Sequence, residues 1–502
     1  MKRIKDVVVE KIRQWFSLDY RSLAVLRISV GITILVDLLQ RTVDFRAFYS
    51  DSGVLPRSEL LRIGNHTWDI SLHTASGLAS FEAILFILAS LFAIMLIAGY
   101  RTRLAIIASW FLLISLHFRN PMILQGGDIV LRVVVFWMMF LPLNKIWSLD
   151  RLLNRVTEPK TKTIISPATI AYIIQICLIY LMSGLLKTGI PWHNGTAVYY
   201  ALNVDQLITP FAVWIREFPG FMALLTYGVW YLEVYGIILF FSPWKTAVFR
   251  MAGILAFALL QIGFNSGMRL GLFGIISVVV TLGFIPSEFW NTWLPRITSS
   301  SLKKLGHDIR TWFEKKLEVF EKETPHTQHI PRSVKIIGNI CIVGMLLYVA
   351  AWNIDTTNTH KKILSPESKW LGYTTHMDQV FNMFAPMPLT EDGWYIVPGT
   401  LRDGTTIDVH TEKGITYEKP KWIAYTYKNQ RWQKYMMNLW SRDNTEYRLG
   451  YGQYLCRQWN DTHSYEKELM SFDIIFMLEK TPPPGQTLSP VEPVTIWNHH
   501  CF

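Results

Sequence analysis

Charge is scarce in this chain of 502 residues: Asp, Glu, Lys and Arg together make up 17%, while half of the residues are hydrophobic. That is too little charge for an ordinary soluble surface. Cysteine is scarcer still, at four residues. No CxxC, HExxH or zinc-type spacing occurs, which argues against a structural metal or a redox dithiol, and no metal is expected. The first apolar run follows a basic amphipathic segment and lacks a small-residue cleavage site, so it reads as a retained helix. There is no internal repeat or pair of broken helices of the kind transporters use.

What is present is apolar sequence in blocks, rich in aromatics, with 20 Trp, 21 Tyr and 28 Phe. The blocks approach the length needed to cross a bilayer and predict about nine spans. These fall near 22–40, 76–98, 103–118, 129–146, 168–187, 221–242, 246–264, 270–286 and 334–352. The fold class is therefore a polytopic α-helical membrane protein with a C-terminal mixed α/β extracytoplasmic domain. Residues 1–20 form an amphipathic cytoplasmic helix, 21–290 the main membrane domain, 291–333 a basic amphipathic loop, 334–352 the last span and 353–502 the exported domain.

Basic residues set this orientation. Lys2, Arg3, Lys5, Lys11, Arg13 and Arg21 precede the first span, and alternate loops carry Arg101 and Arg103, then Lys145 to Lys162, then Lys245 and the run from Arg296 to Arg332. The intervening loops have Arg119, Arg216 or Arg269 nearly alone, and 41–75 balances its arginines with acids. The N-terminus is thus expected in the cytoplasm and the tail across the membrane. The net charge of +11 reads as a topology and headgroup signal, with membrane lipid and not nucleic acid as the partner. Two faces, Ile4, Val8, Ile12 with Trp15 or Phe16, and Leu302, Leu305, Ile309, Trp312, Phe313 and Leu317, suit either the headgroup plane or packing on the bundle end.

In the tail, Trp394–Val397 and Thr406–Val409 flank Arg402-Asp403-Gly404-Thr405, a hairpin signal. Trp422–Tyr427 and Ser471–Met477 read as strands, and 431–441 and 444–458 as helices. Cys456 and Cys501 lie in the exported tail, where a disulfide between them is open, whereas Cys177 and Cys341 are packing residues within spans.

Polar residues within spans carry the functional hypothesis. Lys187 ends the apolar segment Ala171–Leu186, and loss of water moves an amine toward neutrality, so that it can act as a base. The alternative is a side chain that snorkels to the headgroups. Asp128 and Arg132 share a helical face at i, i+4 and are expected to pair. Arg27 is expected to pair with Asp37 or Glu82, and Glu233 reads as a buried group bonded to a neighbouring helix or as a proton relay. Asp128, Lys187 and Asn265 are expected to converge on one outward-facing cavity, with Trp192, Asn194, Gly195 and Tyr199 shaping its mouth and His193 beside it as a weaker acid candidate.

Several separated motifs, in order, carry a family resemblance. They are Leu26-Arg27-Ile28, Tyr49-Ser50-Asp51-Ser52-Gly53-Val54-Leu55-Pro56, Arg119-Asn120-Pro121 with Gly126-Gly127-Asp128, Phe140-Leu141-Pro142 with Trp147-Ser148-Leu149-Asp150, and Ser183-Gly184-Leu185-Leu186-Lys187 with Trp192 and Gly195. Over roughly residues 15–290 the chain resembles the horizontally transferred transmembrane (HTTM) domain family, which includes the vitamin K-dependent γ-glutamyl carboxylases. Phe384-Ala385-Pro386 and Asp392-Gly393-Trp394-Tyr395 look like the C-terminal regions of bacterial members, which makes a bacterial inner membrane the expected location.

The resemblance implies a reduced naphthoquinone of the vitamin K or menaquinol type, with O2 and CO2 as co-substrates. A neutral lysine deprotonates the quinol, and its oxygenation yields an alkoxide that removes a proton from a glutamyl γ-carbon, after which the carbanion captures CO2. Water would quench such bases, which suits a membrane site. Lys187 matches the family's base lysine, and Lys187 and Asp128 are the catalytic candidates. Arg132, Asn120, Trp192, Gly195, Tyr199, Gln261 and Asn265 are the candidates for binding the quinone. Asp128 and Gln261 stand where the carboxylases carry histidines. An anionic Asp128 would repel a carbanion, so quinol oxygenation without carboxylation stays open. A peptide or protein glutamyl substrate is the expected partner, and the alternative is a non-enzymatic lipid- or quinone-binding scaffold that presents the tail.

Overall fold

In hydrocarbon every backbone N–H and C=O must be satisfied within its own segment, so apolar blocks of bilayer length become helices. The computed structural model describes residues 2–63, 68–299, 331–357 and 362–502, with the single positions 304, 308, 311 and 315 between them. The expected amphipathic face from Leu302 to Leu317 lies outside the described residues. Helix α1 (Lys2–Phe16) ends against the bundle: Trp15 Nε1 donates to the Ser242 carbonyl at 3.3 Å, and the Phe16 ring lies 5.5 Å from Phe241.

The bundle comprises α2 (Tyr20–Thr42), α3 (Ala79–Ala98), α4 (Thr102–Arg119), α5 (Gly126–Met138), α6 (Pro167–Leu185), α7 (Pro219–Tyr235), α8 (Thr246–Gly267) and α9 (Phe273–Val279), followed by α10 (Arg332–Thr357). Among the described residues seven helices are long and apolar enough to cross a membrane, and an eighth is present if Phe273–Phe284 and Phe289–Ile297, bent by 85°, count as one span. The expected fourth and eighth spans are the short ones. Helix α5 has 13 residues, about 20 Å of rise against a hydrocarbon thickness of about 30 Å. Its last nine positions, Val130 to Met138, are buried by neighbouring helices, so it has no need to meet lipid along its length.

Arg27 requires a correction. It pairs with neither acid; its guanidinium donates to the Leu96 and Ile97 carbonyls, at 2.8 and 3.0 Å, and to the Trp147 carbonyl at 2.5 Å. A cation on the last carbonyls of α3 meets the negative end of that helix. Gly99, at φ +68°, makes this approach possible, because a Cβ there would lie 2.1 Å from Arg27 Nη1. Glu82 bonds instead to His73, at 2.5 Å.

The C-terminal region is a five-stranded antiparallel sheet with two helices. Its strands are β1 (Glu391–Ile396), β2 (Pro398–Leu401), β3 (Thr406–Asp408), β4 (Leu469–Lys480) and β5 (Glu492–His500), and its helices are α11 (Gln430–Trp440) and α12 (Arg448–Asn460). Strand β4 is central: it pairs with β1 (Trp394 opposite Met477), with β2 (Gly399 opposite Phe472) and with β5 (Phe472 opposite His499). The hairpin at Arg402–Thr405 joins β2 to β3, not Trp394–Val397 to β3. The expected strand Trp422–Tyr427 is instead a 3-10 turn at Ile423–Tyr425. Its apolar residues are buried by docking, with Arg269 donating to the Ala424 carbonyl and Tyr427 to Gln206. Strand β5 was not legible as a strand in a segment of mixed polarity.

A Cys456–Cys501 disulfide, Cα to Cα 5.5 Å, ties α12 to the residue after β5. Its removal by Cys456→Ser is expected to destabilise the region by about 2–5 kcal/mol, read as a lower unfolding temperature and a lost mobility difference on reduction. Asp392 gives a pH prediction. Burial, reinforced by Asp205, pushes its carboxyl from 3.8 up to about 7. The unfolded chain then binds fewer protons than the folded one between those values, so this group makes stability fall as pH rises through that window. Asp392→Asn should flatten the dependence of unfolding temperature on pH there; an unchanged slope contradicts the assignment.

Candidate functional site

Two polar clusters lie within the apolar bundle. The first begins with Asp37 and Arg41, one turn apart on α2, joined at 2.7 Å. Arg41 also reaches Asp128 Oδ1 at 2.7 Å and donates to Tyr49 at 2.8 Å. The fourth member comes from the tail: Arg431, on α11, contacts Asp37 at 2.7 Å, Asp128 Oδ2 at 2.6 Å and the Ile123 carbonyl at 2.9 Å. All four side chains are buried, and two guanidinium groups balance two carboxylates. Asp128 Oδ2 also accepts from the Gln125 backbone at 2.8 Å, as part of the box that starts α5.

The expected Asp128–Arg132 pair is therefore corrected. Two arginines distant in sequence occupy Asp128, and Arg132 turns to Asp378, donating to its carbonyl at 2.9 Å and its carboxylate at 3.1 Å. Burial holds the Asp378 carboxyl above its ordinary value although Arg132 opposes the shift. His117 Nε2 lies 3.6 Å from Asp128. Asp37, His117 and Asp128 are close enough to share an ion, but the two guanidinium groups already balance both carboxylates.

The second cluster is centred on Lys187. Gly184 lets α6 meet α7, since a Cβ there would sit 2.6 Å from Val234 Cγ2. Close helix contact through a small residue is a standard membrane device. Here it brings Lys187 Nζ within 2.5 Å of Glu233 Oε2, while Ser183 accepts at 2.8 Å through its hydroxyl and 3.2 Å through its carbonyl. The Trp192 ring centroid is 5.0 Å from the ammonium. Lys187 is 2% exposed, so it does not snorkel, and Glu233 is the group bonded across to a neighbouring helix.

A cavity of about 620 Å³ lies between the bundle and the C-terminal region. Its walls include Ile179, Tyr180, Phe264, Phe273 and Phe381, with Ser183, Glu233, Gln261 and Arg132 as polar points. Lys187 stands behind Ser183 and Glu233. The strap Phe381–Met387 covers one side, held by Gly189 N donating to the Pro386 carbonyl at 2.9 Å and Trp192 Nε1 to the Phe384 carbonyl at 3.0 Å.

Of the expected site residues, Arg132 and Gln261 face this cavity, and Gln261 Oε1 is buried without a partner among the described residues. Asp128, Asn120, Trp192, Gly195, Tyr199 and Asn265 do not line it. Asn120 donates to the Phe48 carbonyl at 3.1 Å, Tyr199 to the Pro482 carbonyl at 3.1 Å, and Asn265 packs on Gly274. Gly195 is a turn residue at φ +82° against Tyr227. Ser183, Tyr180, Asp378 and the α11 face were missed. Ser183 had a signal, four residues before Lys187 in an apolar run; the α11 face had none.

A family model described as the HTTM domain matches residues 16–289 of 502, more than half of the chain, and the chain belongs to that family. The domain is found in proteins related to the vitamin K-dependent carboxylases. No curated protein and no solved structure matches the chain.

Removing one member of the charge quartet leaves a buried charge unbalanced, which costs about 3–5 kcal/mol. Arg431→Ala is expected to loosen the C-terminal region, seen as faster proteolysis of residues 362–502 and a lower unfolding temperature, with Arg431→Lys intermediate. Equal protection of Arg431→Ala and the parent protein contradicts this.

Proposed function

We propose that this HTTM-domain protein is an integral membrane enzyme that oxidises a reduced naphthoquinone with O2 at the cavity beside Lys187 and Glu233, and uses the base so formed on a glutamyl substrate, with CO2 as co-substrate. The observation that carries it is the buried Lys187–Glu233 pair, whose glutamate lies on the wall of a largely apolar cavity. The volume of about 620 Å³ lies within the range of small-molecule sites. Gln261, with an unpartnered buried oxygen, fits a ligand hydroxyl, and Ile179, Phe264, Phe273 and Phe381 fit a ring system. When bound with O2, the quinol supplies a base stronger than any side chain here.

The chain's own part is proton handling. Lys187 and Glu233 together are neutral whether arranged as ammonium and carboxylate or as amine and carboxylic acid. Glu233 meets the cavity and Lys187 backs it, so a proton taken from a ligand hydroxyl leaves the pair with one positive charge, opposite the anion produced. Exclusion of water by the strap protects strong bases.

Loop basicity supports a cytoplasmic N-terminus and an extracytoplasmic C-terminal region, and the likeness of Phe384-Ala385-Pro386 and Asp392-Gly393-Trp394-Tyr395 to bacterial members supports a bacterial inner membrane. The Cys456–Cys501 disulfide suits an oxidising compartment. One observation favours a second reading. Lys187 has three acceptor contacts and an aromatic ring, the bonding of a structural pin in a lipid- or quinone-binding scaffold.

The test incubates purified protein in lipid with reduced naphthoquinone, O2, labelled CO2 and a glutamyl peptide. Epoxide is expected, reduced about 100-fold or more in Lys187→Ala and Glu233→Gln, the scale of general acid–base catalysis. Label in the peptide extends the reading to carboxylation; epoxide alone limits it to oxygenation. Neither product from folded protein rejects it, and unchanged partner binding in Lys187→Ala then supports the scaffold.

A further inference from the structure

The C-terminal helix α11 starts at Gln430, capped by Asn429, whose side chain accepts from the Arg431 and Trp432 backbones. Arg431 points into the charge quartet, which fixes the rotation of the helix. Gln430, Gln433, Lys434 and Met437 then line the cavity, the i, i+3, i+4, i+7 positions of one helical face. Gln430 donates to Gln125 at 3.1 Å, and Gln433 donates to the Gln206 carbonyl while its own buried Oε1 has no partner among the described residues.

Lys434 differs from the other cations on this wall. Arg132 is held by Asp378 at 3.1 Å. Arg269 donates to the Ala424 carbonyl and stacks 4.5 Å from the Tyr425 ring, so its charge is retained but its direction is fixed. No hydrogen bond or ion pair engages the Lys434 ammonium among the described residues. A three-donor cation on a long flexible stem is thus open to the cavity, whose wall also carries Arg269. Burial lowers its pKa from the ordinary lysine value, with Asp128 opposing the shift. An anion in the cavity would relieve that cost.

We infer that Lys434 holds a carboxylate of an acidic peptide at the end of the cavity formed by α11, opposite in origin to the proton-handling pair supplied by α6 and α7. This rests on the functional reading above and adds the residue that selects the substrate. The peptide carboxylate is the occupant chosen because the cavity lies against the C-terminal region, where a polypeptide can approach without crossing the bilayer. Lys434 fixes the substrate; it takes no part in the proton transfer.

The experiment uses the full chain in lipid nanodiscs and two end-blocked pentapeptides that differ only in a central Glu or Gln. Binding is measured without quinol for the parent protein, Lys434→Gln and Lys434→Arg, each checked by its unfolding temperature. A charge-assisted contact predicts that the parent binds the Glu peptide about 10-fold or more tightly than the Gln peptide. Lys434→Gln should abolish the preference, and Lys434→Arg should keep most of it. A parent without preference overturns the inference, even if no variant folds, and so does a folded Lys434→Gln that retains it. Retained preference with no epoxide from the parent would reject the enzyme reading alone; epoxide with no preference would reject only Lys434.

Discussion

The neutral quartet of Asp37, Arg41, Asp128 and Arg431 is the interaction on which the rest of the arrangement depends. Three members come from the bundle and one from the tail, separated from Asp128 by 303 residues. Taking charges out of water is costly, and a buried pair adds little net stability compared with apolar packing. Its effect here is on register. Any placement of α11 that withdraws Arg431 leaves two buried aspartates facing one arginine. The C-terminal region therefore has one low-energy seat, and the cavity exists because that seat is fixed. The α11 face is set by it, while the strap from Phe381 to Met387 is held by Gly189 and Trp192.

The second constraint is steric. Gly184 and Gly99 each stand where any Cβ would collide, with Val234 at 2.6 Å and Arg27 Nη1 at 2.1 Å. One brings the Lys187–Glu233 pair together, and the other lets Arg27 reach the end of α3. Much of what marks the family is this kind of scaffolding. Arg119 donates to the Leu55 carbonyl at 2.7 Å and Asn120 to Phe48, so Arg119-Asn120-Pro121 holds the Tyr49–Pro56 loop. Asp150 accepts from Arg101 N at 2.8 Å and Thr102 N at 3.0 Å, starting α4. Motifs that identify a fold thus locate its joints more often than its chemistry.

That distinction explains what the sequence disclosed. Lys187 stood out because a lone amine in an apolar run is costly, and its partner Glu233 was visible for the same reason. Spans were legible by hydropathy, but α5 was read as a span of full length over 129–146 and is a 13-residue helix, because residues buried by protein and residues facing lipid give the same apolar signal. The pairing for Asp128 was misread because local spacing suggests a partner at i, i+4, whereas Arg41 and the distant Arg431 hold it; Arg27 was assigned to an acid, Asp37 or Glu82, whereas it bonds backbone carbonyls. The disulfide was foreseen as an open pairing of the only two tail cysteines. Lys434 was invisible: nothing in Gln430–Trp440 shows which face meets the bundle until Arg431 is seen to be buried.

These clusters also decide the sign of the field inside the cavity. The quartet sums to zero, Lys187 with Glu233 sums to zero, and Arg132 with Asp378 sums to zero. The remaining wall charges are Arg269 and Lys434, so the cavity is positive on the side of the C-terminal region. Screening by salt is weak in a buried site. Asp128, whose charge would repel a carbanion, is held by two guanidinium groups and does not line the cavity, and the Lys187 amine meets Glu233 and Ser183 instead. Under the proposed reaction, an anionic intermediate in this cavity would meet positive charge on the side of the C-terminal region and the Lys187–Glu233 pair on the side of the bundle, a division that a polar contact set built only on the bundle does not provide.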